Sequence, residues 1–235
     1  MFTGTTSVIE ASWGIGERIV AGHITPDSWH VSDSGIIERR PGVKTERTDR
    51  HDGRLLTRPI APTKQEKLCL TDPEVLHLYA LGNEVSDALG GPRDIEWAIA
   101  EDTTWVLQAR PVTAPLPDST APPQPPASSA TITGEPASPG IASGPVRLVR
   151  GPADFPKVQP GDVLVCRNTD PAWTPLFTIA SAVVTETGGV LSHAAIVARE
   201  AGIPAVLAVP RATTVLIPSS PHPPSPSMAA PATSP

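Results

Sequence analysis

Ala182-Val183-Val184-Thr185-Glu186-Thr187-Gly188-Gly189-Val190-Leu191-Ser192-His193-Ala194-Ala195-Ile196-Val197-Ala198-Arg199-Glu200-Ala201-Gly202-Ile203-Pro204-Ala205-Val206 decides the fold of the second half of the chain. Ala182–Thr185 is short and apolar and reads as a strand. Gly188-Gly189 breaks it. Ser192 is a good helix cap, and Ser192–Ala201 reads as a helix that Gly202 closes and Pro204 cannot continue. Ala205–Val209 returns as a strand. Strand, helix and strand with short connections imply a parallel pair with a right-handed crossover. Upstream, Gly144–Arg150 and Asp162–Cys166 read as further strands of the same α/β block, residues 134–217.

The first block, residues 1–113, reads differently. Ser7-Val8-Ile9-Glu10-Ala11 is strand-like, Gly14-Ile15-Gly16 breaks it, and a short helix starts near Glu17. Asp33–Lys67 is polar with weak alternation and reads as surface hairpins. Thr71-Asp72-Pro73-Glu74 is a helix start, with a cap, Pro in the first turn and acid near the positive helix end. Apolar residues at helical spacing run from Val75 to Leu89, and Gly90-Gly91-Pro92 ends the helix.

Asp94–Ile99 and Trp105–Arg110 alternate and read as an antiparallel hairpin. A register centred on Asp102 pairs Ile95 with Ala109, Trp97 with Leu107 and Ile99 with Trp105 on one apolar face. The other face then pairs Asp94 with Arg110, Glu96 with Gln108 and Ala98 with Val106. A one-residue slip would mix the two faces.

Composition separates these blocks. Pro makes up 30 of 235 residues, about 13% against a usual ~5%. It concentrates in 114–140 and 218–235. Residues 114–133 read as a linker, which at about 3.1 Å per residue would span roughly 60 Å if extended. Residues 218–235 cannot supply a core and read as a disordered tail. No apolar run approaches the ~18–20 residues of a membrane span, and the N-terminus lacks a signal-peptide pattern. A net charge of −6 gives no support to a nucleic-acid partner. Two cysteines without metal-site spacing fit a reducing cytoplasm.

The chemistry concentrates at Gly188–Ala195. Glycines permit close approach of a ligand, and free N–H groups in a first helical turn suit phosphate. His193 falls in that turn, and a neutral imidazole is a nucleophile near physiological pH. The stretch therefore reads either as a phosphoryl-accepting histidine or as a capping loop with a half-buried His.

Thr187-Gly188-Gly189, Ser192–Glu200 and Gly202–Val206 closely resemble the swivelling phosphohistidine domain of PEP-utilising enzymes. That family includes phosphoenolpyruvate synthase, pyruvate phosphate dikinase and rifampicin phosphotransferase. The likeness extends through Gly134, Ser138-Pro139-Gly140, Gly144, Gly161–Leu164 and Thr169–Phe177. It implies that His193 accepts a phosphoryl group. Thr187, Gly188, Gly189 and Arg199 are then candidates to hold the phosphate. Ser192 serves as a cap or as a phosphate contact, and Thr169–Phe177 is expected to pack beside the helix.

The first block resembles the C-terminal part of the same family's ATP-grasp-like nucleotide-binding domain. The matching stretches are Val8–Glu17, Thr25-Pro26-Asp27, Gly91–Ala98 and Leu107–Thr113. By that resemblance, Glu96 and Gln108 supply oxygens to ATP-bound Mg²⁺, and Arg110 contacts phosphate. Glu17 is a further nucleotide-site candidate, read equally as a helix-start acid. The hairpin register places Glu96 opposite Gln108 independently, and hard Mg²⁺ prefers such oxygen donors. A bare solvated sheet face with an Asp94–Arg110 pair is the plain alternative.

The expected fold is thus mixed α+β and α/β, a partial ATP-grasp-like domain joined by a Pro-rich linker to a swivelling β/α domain. The resemblance implies an ATP-dependent phosphotransferase whose mobile histidine passes its phosphoryl group to a small-molecule acceptor, pyruvate/PEP or an antibiotic. The block order resembles the synthase type, whereas Trp173–Phe177 resembles the antibiotic type. The family's nucleotide domain has an N-terminal half that carries a catalytic Lys, and Met1–Thr6 begin inside the pattern. A separate chain supplying that half, or an inactive fragment or interaction module, is the alternative expectation. Poor self-phosphorylation of the chain alone follows from either.

Overall fold

The structure, a computed structural model, describes residues 6–113, 116 and 132–216 and the backbone of 227–230. Most of the expected linker and tail lies outside the described residues. The chain divides into two units, Met1–Arg18 with Ile24–Thr113, and Ile19–His23 with Ala114–Pro235.

In the first unit, β1 (Ser7–Ala11) leads through α1 (Glu17–Val20) to β2 (Asp27–Ser32) and β3 (Gly35–Arg40). These strands form an antiparallel sheet in the order β1-β2-β3. Its buried residues Ile9, Ala11, Trp29 and Val31 pack with Val75 and Leu78. The last two come from α3 (Asp72–Leu89), which follows the hairpin β4 (Glu46–His51) and β5 (Arg54–Pro59) and the short α2 (Pro62–Gln65). The expected signals set the ends of α3. The Thr71 N–H and hydroxyl both donate to the Glu74 carboxylate at 2.7 Å, and Gly90 closes the helix at φ 73°.

One buried polar knot ties this unit together. Lys44 and Asp27 form an ion pair with both side chains fully buried. The two Asp27 oxygens also accept the N–H of Gly42 at 2.7 Å and of Cys69 at 2.8 Å. Burying two charges is costly unless each is paired and hydrogen-bonded, and here two chain segments, Gly42–Lys44 and Cys69, converge on the Asp27 carboxylate to meet that demand.

The hairpin β6 (Arg93–Ala100) and β7 (Thr103–Pro111) completes the unit. Its register departs from the expected one. Glu101 and Asp102 form a two-residue turn with φ +50° and +58°, the geometry whose twist matches paired strands. That turn pairs Ala100 with Thr103, Ile99 with Thr104, Ala98 with Trp105 and Trp97 with Val106. A bulge between Glu96 and Trp97 leaves Leu107 without a partner in the ladder. Beyond it Glu96 pairs with Gln108, Ile95 with Ala109 and Asp94 with Arg110, as the alternation predicts. The expected pairs Trp97–Leu107, Ile99–Trp105 and Ala98–Val106 are therefore corrected. No fully apolar face forms, because the tight turn and the Glu96–Gln108 end demand registers one residue apart.

In the second unit, β10 (Val146–Leu148), β11 (Val163–Cys166), β12 (Ala182–Thr185) and β13 (Ala205–Leu207) are parallel neighbours. β8 (Glu135–Ser138) joins β13 antiparallel. β11 and β12 are buried along their whole length, which is why their sequences are continuous apolar runs rather than alternating ones. Between them the chain makes the short α4 (Thr174–Phe177). The helix α5 (His193–Ala201) buries Ala194, Ala195 and Ala198 against one sheet face, with Leu164, Val183 and Phe177. Ala212, from α6 (Ala212–Val215), joins Val163, Val165 and Val184 in a separate cluster. Within the tail, β14 (Ser227–Ala230) pairs antiparallel with β9 (Gly140–Ser143), so these four residues depart from the expected disorder. Their pairing uses main-chain groups, which composition does not report.

Replacing Asp27 with Ala removes three acceptor contacts and strands a buried ammonium. The expected loss is about 3–5 kcal/mol, read as a lower urea midpoint by circular dichroism. An unchanged midpoint would show that the knot is not needed for stability.

Candidate functional site

The second unit builds its site at the carboxyl ends of β11 and β12. Gly188 adopts φ +112°, a conformation that strains any residue with a Cβ. A Cβ there would also lie 3.2 Å from Ser192 Oγ. The loop then closes through Ser192 N–H to Gly189 O at 3.0 Å. Ile196 N–H to Ser192 O is the first bond of α5, so among the described residues the His193, Ala194 and Ala195 N–H groups have no acceptor. Those of Gly188 and Gly189 likewise have no acceptor among the described residues. The Ser192 hydroxyl makes no cap bond. It is fully buried and has no partner among the described residues, and a buried hydroxyl without a partner is costly.

His193 is half-buried and engaged at both ring nitrogens. Thr169 Oγ1 lies 2.9 Å from Nδ1 and Thr174 Oγ1 lies 3.3 Å from Nε2. The ring meets Phe177 edge-on, with centroids 6.1 Å apart. Burial pushes its pKa down, against the opposing fields of Asp170 and Glu200. The imidazole is therefore favoured in its neutral form, in which one ring nitrogen donates its proton to a threonine hydroxyl and the other, with the lone pair, accepts from one.

The two threonines were missed by sequence reasoning, which assigned Thr169–Phe177 to packing. Packing is present, since Trp173 and Phe177 are buried. The available signal was Asp170-Pro171: Asp170 Oδ1 accepts Ala172 N–H at 2.8 Å and starts the turn between Thr169 and Thr174.

Thr187 and Arg199, the other phosphate candidates, both bond main-chain carbonyls. Thr187 Oγ1 donates to Gly22 O at 2.6 Å, with Arg167 O a second, longer contact of the same proton at 3.1 Å, all within the second unit. Arg199 Nη1 donates to Ala137 O and Val190 O, both at 2.9 Å. Its long stem reaches from α5 back to the glycine loop and ties that loop to β8. Each of these side chains holds main-chain carbonyls on either side of the glycine loop.

In the first unit, the pre-bulge register places Asp94, Glu96, Gln108 and Arg110 on one hairpin face. Arg110 Nη2 donates to Glu96 Oε1 at 2.7 Å and lies 3.6 Å from Asp94 Oδ2. These side chains are 35–49% exposed, so the pairs contribute under about 1 kcal/mol and exchange easily for a phosphate. The donor set fits Mg²⁺, with two carboxylates and an amide oxygen, all hard ligands. No cluster of three His, Cys, Asp or Glu side chains positioned for a metal occurs among the described residues, so such an ion needs further oxygens from a ligand. Glu17 opens α1 exposed. Among the described residues it makes no bond to this face. No described helix is long and apolar enough to cross a membrane.

The two units thus define a class, a hairpin-bearing α+β unit followed by a parallel α/β unit that presents a histidine on a glycine loop. Residues 2–126 match the family model of the pyruvate phosphate dikinase AMP/ATP-binding domain, and residues 158–221 match that of the PEP-utilising enzyme mobile domain. The chain belongs to the PEP-utilising enzyme family. It is 40% identical over 212 residues to a probable phosphoenolpyruvate synthase of Methanothermobacter thermautotrophicus, covering 89% of this chain and 31% of that protein. It is 34% identical to the phosphoenolpyruvate synthase of Pyrococcus furiosus, over 89% of this chain and 27% of that protein. The corresponding enzyme of Escherichia coli is 34% identical, over 87% and 28%. The chain spans less than a third of the length of these relatives.

Histidine NMR titration should give His193 a midpoint below the ordinary ~6.5, because burial disfavours its charged form. Asp170→Asn keeps the turn-capping oxygen but removes a field that favours the imidazolium, so the midpoint should fall further. A midpoint that rises in this variant would contradict the assignment of charges around the ring.

Proposed function

We propose that this chain is the histidine-bearing segment of an ATP-dependent, dikinase-type phosphotransferase. The observation that carries the reading is His193 itself. It is kept neutral by burial and flanked at both nitrogens by hydroxyls, and it stands in the first turn of α5 beside unbonded N–H groups. A lone pair on one ring nitrogen attacks a phosphoryl group of ATP. The P–N bond forms as a P–O bond breaks, and the nucleotide leaves with the oxygen. The other nitrogen keeps its proton, for which the neighbouring Thr hydroxyl is an acceptor. The helix N–H groups and the Ser192 hydroxyl are the chain's own donors for the phosphoryl oxygens. Thr187 and Arg199 serve by holding the glycine loop.

On the first unit, Glu96, Gln108 and the neighbouring Asp94 would hold Mg²⁺, and Arg110 would bind the nucleotide's phosphates after releasing Glu96. Bound Mg²⁺ neutralises phosphate charge there. The place of Glu17 in nucleotide binding rests on the family resemblance alone. The names of the relatives, phosphoenolpyruvate synthases, favour pyruvate as the eventual acceptor over an antibiotic.

The test is labelling with ATP carrying isotope at each phosphate in turn, with the chain alone and with the N-terminal half of the family's nucleotide domain supplied in trans. Acid-labile, base-stable label that vanishes in His193→Ala is expected in the supplemented mixture. Label absent from both mixtures would favour an inactive fragment or interaction module and defeat the carrier reading.

A further inference from the structure

The corrected hairpin register moves one aromatic side chain to a place where it has no core to fill. The alternation of the sequence assigns Trp105 to the face of Ile95 and Trp97. The turn at Glu101-Asp102 and the bulge at Leu107 instead pair Trp105 with Ala98. Ala98 shares a face with Asp94 and Glu96, because alternate strand residues point to the same side. Trp97, on the other face, packs with the core of α3 and the β1–β3 sheet. Trp105 is 57% exposed, and among the described residues no other ring stacks on it.

We propose that Trp105 is a stacking platform for the base of the nucleotide whose phosphates the Glu96–Gln108–Arg110 face receives. The proposal rests on that reading of the face and adds a residue to it. Two observations favour a planar ligand. The indole stands one same-face step along the strand from the Glu96–Gln108 pair, about 6.8 Å at the usual strand rise, which leaves room for a sugar between ring and phosphates. Its cross-strand partner is Ala98, and the adjoining same-face pairs are Ala100–Thr103 and Glu96–Gln108, so the paired residues beside the ring are small or polar and leave it 57% exposed. Stacking on an indole tolerates any base, so Trp105 would supply affinity for a nucleoside without selecting adenine.

The experiment titrates the full chain with Mg²⁺–ATP and with Mg²⁺–tripolyphosphate, which presents the phosphates without base or sugar. Wild type, Trp105→Ala, Trp105→Phe and Glu96→Gln are compared by calorimetry, with tryptophan fluorescence as a second readout. ATP should bind wild type about tenfold or more tightly than tripolyphosphate, the effect of one base–aromatic stack. Trp105→Ala should abolish that preference while leaving tripolyphosphate binding unchanged, and Trp105→Phe should keep most of it. ATP should quench a fluorescence component present in wild type and missing in Trp105→Phe. Glu96→Gln should weaken both ligands alike. Equal binding of ATP by wild type and Trp105→Ala, with Glu96→Gln still weakening it, overturns the platform and leaves the phosphate face standing. Binding of neither ligand to wild type defeats the phosphate face, and the platform with it.

Discussion

The turn at Gly188 is the constraint on which the second unit's site depends. β12 is buried on both faces and must leave the sheet at its carboxyl end. α5 must then turn back at once to lay Ala194, Ala195 and Ala198 against the same sheet. A left-handed glycine permits the reversal within a few residues. The consequence is chemical. The helix begins at the edge of the parallel sheet, its first N–H groups have no acceptor among the described residues, and His193 is its first residue. Helix N-termini and the carboxyl edges of parallel strands are where α/β folds place ligands. Here both arise from one packing requirement.

Burial then sets the histidine's state. Asp170 and Glu200 alone would favour the imidazolium, but loss of hydration outweighs them. Thr169 and Thr174 supply hydrogen bonds without charge, so they orient the ring while leaving it neutral. A carboxylate in either place would raise the pKa and occupy the nucleophilic lone pair with a proton. Arg199 supports this from behind by satisfying the Val190 carbonyl in the glycine loop.

The first unit shows a different division of labour. Asp27 and Lys44 gather three segments into a buried knot, so this unit is held by polar bonds as well as by its apolar core. On the hairpin the charges are exposed and loosely paired, the arrangement that a ligand can rearrange at little cost. The bulge at Leu107 lets a tight turn coexist with the Glu96–Gln108 pairing, and bulges commonly re-aim side chains in this way.

Much of this was legible in the residues. Thr71–Glu74 and Gly90 mark the ends of α3 because caps act locally. The apolar runs Val163–Cys166 and Ala182–Thr185 announce buried parallel strands, and Gly188-Gly189 before Ser192-His193 announces the loop and helix start. The sequence by itself determined the element types and the location of the histidine, since turn chemistry and hydrophobic period depend on neighbours in the chain. The tertiary structure alone decided what surrounds that histidine and which way Trp105 faces. Thr169 reaches His193 from another strand's loop, Arg199 turns to carbonyls brought near by packing, and the hairpin register is a compromise between a turn and a bulge. The first two depend on residues distant in the chain and the third on a conflict within one hairpin; each is settled by competition for hydrogen bonds and space, which simple alternation does not encode.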